Sequence, residues 1–422
     1  MKANEPKRAI LATIQSGTDL LADIRSERSL TELESLASEC NIETVGTIIQ
    51  KRDAPDRSYW LGKGKLVEMV EMAKLLEVEI LVFDTELSPT QVKRIEDIAS
   101  LEIVDRSLII FEIFARRAKT DEGKIQVELA QLRYRLTRLT GRGEELSRLG
   151  GGIGTRGPGE TQLETDRRHI LRRISLLKRE MERISTRRAR TREQRSSREI
   201  ATVAVVGYTN SGKSTIVNLL CDAEIEAEDR LFMTLDPTAR RLVTEHGLSL
   251  ILVDTVGFIR DLPRHLLDAF AATLEEVSEV DYIMQITDIS DPDYEQQIKI
   301  VEQQLVKLGS AAKPRLHILN KTDQALDDKW KVLLHQKQDG DQNTIAASAI
   351  EGDGMEDVRE ALCRLAERNA VEFSLVIPYE DAGLVNYIQE RGVVDKLSYD
   401  EEGIFMSGRI PVSMSGPLKL YL

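Results

Sequence analysis

The sequence predicts an α/β protein in four parts. These are an N-terminal parallel-sheet α/β domain, an antiparallel helical hairpin, a doubly wound α/β domain and a small α+β domain. Three observations predict it. Apolar strand patterns alternate with amphipathic helix patterns over residues 9–118 and again over 199–368, as parallel βα units do. Two heptad-like apolar seams flank a glycine-rich stretch, "GGGIGTRGPGE", at 150–160. A β-branched strand runs into a glycine loop and then a helix in "ATVAVVGYTNSGKST", residues 201–215.

The length of 422 residues suggests about three domains. No apolar run reaches about 20 residues, so no membrane span is expected. The N-terminus "MKANEPKRAILATIQSG" lacks the apolar core of a secretory signal. Cys40, Cys221 and Cys363 are odd in number and far apart. That argues against a disulfide framework or a zinc site and for a reducing cytoplasm.

The first part is expected over residues 1–123. Its strand candidates are "AILATIQ", "TVGTIIQ" and "EILVFD"; its helix candidates are "SLTELESLASEC", "KLVEMVEMAKLL" and "TQVKRIEDIAS". Within "YWLGKGKLVEMVEM", Gly62, Lys63, Gly64 and Lys65 lack the spacing of a phosphate-binding loop and read as a helix start. The other reading is an anion or second-nucleotide site at that helix end.

The hairpin is expected over 124–198, with a tip loop at 141–160. Ile125, Leu129, Leu132, Leu136 and Leu139 form one seam; Leu163, Ile170, Ile174, Leu177, Met181 and Ile184 form the other. Glycine loses the most backbone freedom on folding, so a glycine-rich tip that needs no core is a candidate contact surface. Residues 161–200 hold thirteen Lys or Arg and six Asp or Glu, a net of +7 in a chain of net −13. Two readings follow: a solvated helix whose arginines pair with its own glutamates, or an arm for a localised anionic partner. "RTREQRSSRE" is the expected hinge to the next domain.

The third part is expected over 199–368. Gly207-x-x-x-x-Gly212-Lys213-Ser214 follows a strand and opens a helix, the context a P-loop requires. The backbone of Gly207, Tyr208, Thr209, Asn210, Ser211, Gly212, Lys213, Ser214 and Thr215 would cradle phosphates, helped by the helix dipole. Lys213 would neutralise the β- and γ-phosphates and Ser214 would ligate Mg²⁺. "LHILNKTD" delivers Asn320, Lys321 and Asp323 at a strand end. A carboxylate in the plane of guanine accepts from its N1–H and exocyclic amine, a donor pair adenine does not offer. GTP and GDP are therefore the expected ligands. In "AASAI", Ser348 and Ala349 are expected to present a backbone N–H to guanine O6. In "LSLILVDTVGF", Asp254 ends a strand and would reach Mg²⁺ through water, and the Gly257 N–H would sense the γ-phosphate. The last part, 369–422, runs from "VEFSLVIPYED" to "LKLYL" and reads as a small α+β domain.

These nucleotide motifs together resemble the translation-factor-related GTPases. That resemblance places the mobile Mg²⁺ hydroxyl in "RLFMTLDPTARR" at Thr234 rather than at Thr238. Many GTPases place Gln after "DTVG" to orient the attacking water; here Phe258 stands, which implies slow hydrolysis by the isolated protein. Relatives with Asn at position 210 recruit K⁺ beside the transferring phosphoryl group. The other reading of Asn210 is a local turn hydrogen bond.

"GTIIQKR", "LGKGKLVEM", "VFDTELSPTQ", "KIQVELAQLRYRLTRL", "GGGIGTRGPGETQLETDRR", "FMTLDPT" and "DTVGFIRDLPRHL" closely resemble the HflX family of ribosome-associated GTPases. The resemblance implies a switch that binds the large ribosomal subunit in its GTP state and splits or rescues stalled or hibernating ribosomes under stress; the sequence itself demands nothing more than a cytoplasmic monomer. It implies that the tip enters ribosomal RNA near the peptidyl-transferase centre, with ribosomal protein beside it. Gly151, Gly152, Gly154 and Gly157 would let the backbone approach RNA, and Arg148 and Arg156 would meet phosphates or bases. Arg167, Arg168, Arg172 and Arg173 would supply a sequence-independent grip. Gly141, Arg142 and Gly143 depart from the larger residues the family carries there, which implies a looser base to the tip. Rival purposes are a large-subunit assembly factor, a binding module with GTP as a structural ligand, and an ATP-driven RNA-remodelling activity in the first domain.

Overall fold

The structure, a computed structural model, describes residues 5–17, 20–149, 158–196, 200–221, 238–244, 248–255, 257–263, 265–266, 269, 278–325, 328–336, 343–368, 370–401, 403–412 and 415–421. The chain divides into two compact units. One comprises residues 1–184, 230–232 and 261–271; the other comprises 185–229, 233–260 and 272–422.

The first unit opens with a four-stranded parallel sheet. Its strands are β1 (Lys7–Gln15), β2 (Ile42–Lys51), β3 (Ile80–Phe83) and β4 (Glu102–Asp105), in the order β2-β1-β3-β4. Ile10, Leu11 and Ala12 at the centre of β1 are fully buried, as expected for a strand covered on both faces. The helices between strands are α1 (Leu20–Glu39), α2 (Lys63–Leu75), α3 (Pro89–Ala99) and α4 (Arg106–Arg117). Helix α2 starts at the "GKGK" turn, with Gly62 as its N-cap. Helix α3 starts on a full capping box, Ser88 with Gln91, with Pro89 in its first turn. β4 and α4 were not expected from the sequence. A four-residue strand gives period-2 patterning too little room to show.

The hairpin arms are α5 (Asp121–Leu149) and α6 (Pro158–Ser196). The two seams meet as expected: Leu129, Ile174 and Leu177 are buried together, flanked by Ile125, Leu132, Leu136 and Ile170. Helix α5 runs through Gly141 and Gly143, and α6 begins at Pro158. Of the tip expected at 141–160, residues 141–149 and 158–160 are helical and 150–157 lie outside the described residues. Each glycine costs a helix about 1 kcal/mol, less than the good helix formers around them return. The expected hinge at 190–199 is likewise helical as far as Ser196.

Helix α5 is fastened at Asp105, the last residue of β4 and the N-cap of α4. The fully buried Asp105 carboxylate accepts from the Leu108 N–H (2.9 Å), the Leu87 N–H (3.1 Å) and Arg138 Nη2 (2.8 Å), and from the Tyr134 hydroxyl. The Arg138 guanidinium also lies over the Tyr134 ring, 4.6 Å from its centroid. Burial and then the Asp105 charge push the Tyr134 phenol well above its ordinary range, so its proton stays on and donates.

The second unit holds a six-stranded sheet of β5 (Ala201–Gly207), β6 (Thr238–Val243), β7 (Ser249–Asp254), β8 (Tyr282–Asp288), β9 (Arg315–Asn320) and β10 (Asn343–Ala346). Its order is β10-β9-β8-β5-β7-β6, parallel except for the antiparallel edge strand β6. Helices α7 (Lys213–Leu220), α8 (Tyr294–Lys307), α9 (Lys331–Gln336) and α10 (Met355–Arg368) lie between strands in sequence. The chain then forms an antiparallel sheet, β11 (Ala370–Ile377), β12 (Val393–Asp400) and β13 (Gly403–Pro411), with helix α11 (Gly383–Arg391). Phe373, Ile377, Ile388 and Met406 share its core.

Candidate nucleotide site

Every predicted nucleotide residue that the structure describes falls at the carboxyl end of the parallel strands. This is where doubly wound sheets bind ligands. β5 delivers Gly207 into a loop that ends at Gly212, the N-cap of α7. A Cβ on Gly207 would lie 2.3 Å from the Ile286 carbonyl oxygen, so that position admits glycine alone. Asn210 stands in the left-handed region (φ 62), which Asn tolerates better than most residues. Its side chain is exposed, while Thr209 and Ser211 are buried. Thr215 sits half-buried in the first turn of α7.

The Lys213 ammonium is buried and donates to the Tyr208 carbonyl (2.6 Å) and the Gly207 carbonyl (3.3 Å) of its own loop. Burial pulls it down to about 8, against the opposite influence of Asp254. An anionic phosphate in the loop would hold the proton on. Ser214 Oγ donates to Asp254 Oδ2 at 3.0 Å, so the two expected metal-site residues from α7 and β7 meet. Both offer hard oxygen donors, the type Mg²⁺ takes. Gly257 comes so close to the loop that a Cβ would meet Lys213 Nζ at 3.0 Å and Thr209 Cα at 3.1 Å. The Phe258 side chain is buried.

The residues expected to recognise guanine are braced to the expected phosphate loop. Asn320 Nδ2 donates to the Ser211 carbonyl (2.9 Å), and its Oδ1 accepts from the Ala349 N–H (3.1 Å). One buried side chain thus joins the P-loop to the "SAI" turn. Asp323 is exposed and accepts from the buried Ser348 hydroxyl (2.7 Å), which aims the carboxylate. Lys321, itself left-handed (φ 63), pairs with Asp288 at 2.7 Å. Asp288 was missed in the sequence. Its signal is an Asp closing an apolar strand, "YIMQITD", as Asp254 closes "LILVD".

Thr234 lies outside the described residues, as do Gly151, Gly152, Gly154, Arg156 and Gly157 of the tip. Arg148 falls in the last turn of α5. On α6, Arg167 and Arg168 lie near Glu164 at 3.9 and 3.3 Å, and Arg172 is exposed. Arg173 makes a two-point pair with Glu128 of α5 (2.7 and 2.8 Å). These are exposed pairs, which contribute little to stability.

Three family models match the chain: a GTP-binding GTPase N-terminal region over 27–115, a GTP-binding GTPase middle region over 117–195, and a 50S ribosome-binding GTPase over 202–321. The chain is 41% identical over 420 residues to a protein named GTPase HflX from Caldanaerobacter subterraneus, covering 100% of this chain and 95% of that one. It is 37% identical over 384 residues to the Escherichia coli protein of the same name, covering 91% and 90%. Among solved structures, a GTP-binding protein from Sulfolobus solfataricus in complex with GDP is 24% identical and covers 86% of this chain and 99% of its own, with a TM-score of 0.46.

Proposed function

The chain belongs to the HflX family of GTPases, and from that membership we propose that it is a GTP-hydrolysing switch that grips the large ribosomal subunit and splits or rescues stalled ribosomes. The observation that carries the reading is the Asn320 brace. It holds the phosphate loop and the guanine turn as one preformed unit, which suits tight and base-specific nucleotide binding.

In this reading Lys213 leaves the Tyr208 and Gly207 carbonyls for the β- and γ-phosphates, and Asp323 reads guanine. Ser214, Thr234 and, through water, Asp254 would hold Mg²⁺. Once bound, the ion would neutralise charge on the phosphate oxygens. Asn210 supports K⁺ beside the reacting group. The Gly257 N–H and Thr234 distinguish GTP from GDP, and this differential contact drives the change of state. The tip at 141–160, with Arg148, and the arginines of α6 meet ribosomal RNA, and the domains divide at 123, 198 and 368. No described helix is long and apolar enough to cross a membrane, and we place the protein in the cytoplasm as a monomer.

The test is GTP turnover in K⁺ buffer with and without purified large subunits, beside a variant lacking residues 150–159. With Phe258 buried, the isolated protein turns over slowly. The subunit is expected to stimulate it by up to about 10³–10⁵, the range of partner-assisted GTPases. Stimulation lost with the loop ties the tip to activation. No stimulation of the intact protein overturns the ribosomal reading and favours a binding module.

A further inference from the structure

The pairing of β5 with β7 slips by one residue just before the P-loop. Val205 pairs with Asp254, yet downstream Tyr208 pairs with Phe258. Three steps on one segment answer four on the other, the register offset of a β-bulge, a device that re-aims backbone groups next to sites. Gly257, whose N–H is assigned above to the γ-phosphate, lies within it.

The bulge is fastened at both ends. Upstream, Thr255 Oγ1 donates to the Val205 carbonyl at 2.7 Å. Downstream, the Phe258 N–H donates to the Gly207 carbonyl (3.0 Å), and the Phe258 carbonyl accepts from the Thr209 N–H (2.7 Å). One further contact belongs to a side chain. The Arg260 N–H donates to the Tyr208 hydroxyl at 3.0 Å. The same Tyr208 accepts from Lys213 Nζ on its carbonyl. One residue of the P-loop therefore touches both the phosphate lysine and the chain that leaves the bulge.

We propose that Tyr208 is a positioning residue for γ-phosphate recognition, its hydroxyl pinning the Arg260 N–H so that the bulge around Gly257 is set before GTP arrives. The proposal rests on the GTPase reading and adds to it the group that fixes nucleotide-state preference. GDP offers no γ-phosphate and does not use the Gly257 N–H. GTP does, and it gains only if that N–H needs no further ordering. Loss of the pin therefore weakens GTP more than GDP.

The test is Tyr208→Phe, which keeps the buried ring and deletes the hydroxyl. Affinities for a non-hydrolysable GTP analogue and for GDP are measured on wild type and variant, with hydrogen exchange over residues 258–262. The ratio of GTP-analogue to GDP affinity is expected to fall about fivefold, the worth of one neutral hydrogen bond. Exchange at the Arg260 amide is expected to quicken. A loop merely loosened would weaken both nucleotides alike and leave the ratio where it was. An unchanged ratio, or unchanged exchange at Arg260, overturns the proposal while a wild type that binds both nucleotides leaves the GTPase reading standing. A wild type that binds neither nucleotide overturns both.

Discussion

Gly212→Ala is expected to weaken guanine-nucleotide binding by about 10²- to 10⁴-fold. Gly212 has φ 89, a region where a side chain costs about 1–2 kcal/mol. Its Cβ would stand 2.2 Å from Asn320 Nδ2, so both groups cannot keep their places. Moving Asn320 releases the Ser211 carbonyl and the Ala349 N–H, at about 1 kcal/mol or more for each hydrogen bond left unmade in a buried site. The sum is about 3–5 kcal/mol, and every 1.4 kcal/mol is tenfold in affinity. Titration with a fluorescent GDP analogue measures it. An affinity within threefold of wild type would mean that Asn320 braces nothing the ligand needs.

Asp105→Ala is expected to destabilise the first unit by about 3–5 kcal/mol, the usual cost of removing one partner from a buried charge pair. The carboxylate has four donors: two backbone N–H groups, the Tyr134 hydroxyl and Arg138. All lose their acceptor at once, and α4 loses its N-cap as well. Asp105→Asn keeps an acceptor and is expected to cost less. Hydrogen exchange of β3 and β4 amides reports the first unit without assuming that the whole chain unfolds in one step. A cost below 1 kcal/mol would show that α5 is held by its apolar seam alone.

The nucleotide site was legible because its residue types are dictated locally. A position where a Cβ would lie 2.3 Å from a carbonyl oxygen, or where φ is 89, writes itself as glycine. The hairpin was legible because Leu129, Ile174 and Leu177 repeat at helical spacing. What the sequence concealed depends on partners far along the chain. Asn320 reads only as part of the nucleotide motif, yet its side chain reaches Ser211, 109 residues earlier. Asp105 carried no motif, because its four partners come from three other stretches. The one-residue slip between Val205–Asp254 and Tyr208–Phe258 leaves no mark on apolar patterning, since both segments stay buried on either side of it. Gly141 and Gly143 misled for the opposite reason. Their local preference is for a break, and neighbours that favour helix overrode it.

The most direct measurement is the affinity for purified large ribosomal subunits, taken with a non-hydrolysable GTP analogue and with GDP in the same K⁺ buffer. A nucleotide-driven switch predicts binding at least about tenfold tighter with the GTP analogue, a coupling of roughly 1.4 kcal/mol. Equal affinity in the two states would contradict it, because a ligand that does not distinguish two states shifts neither.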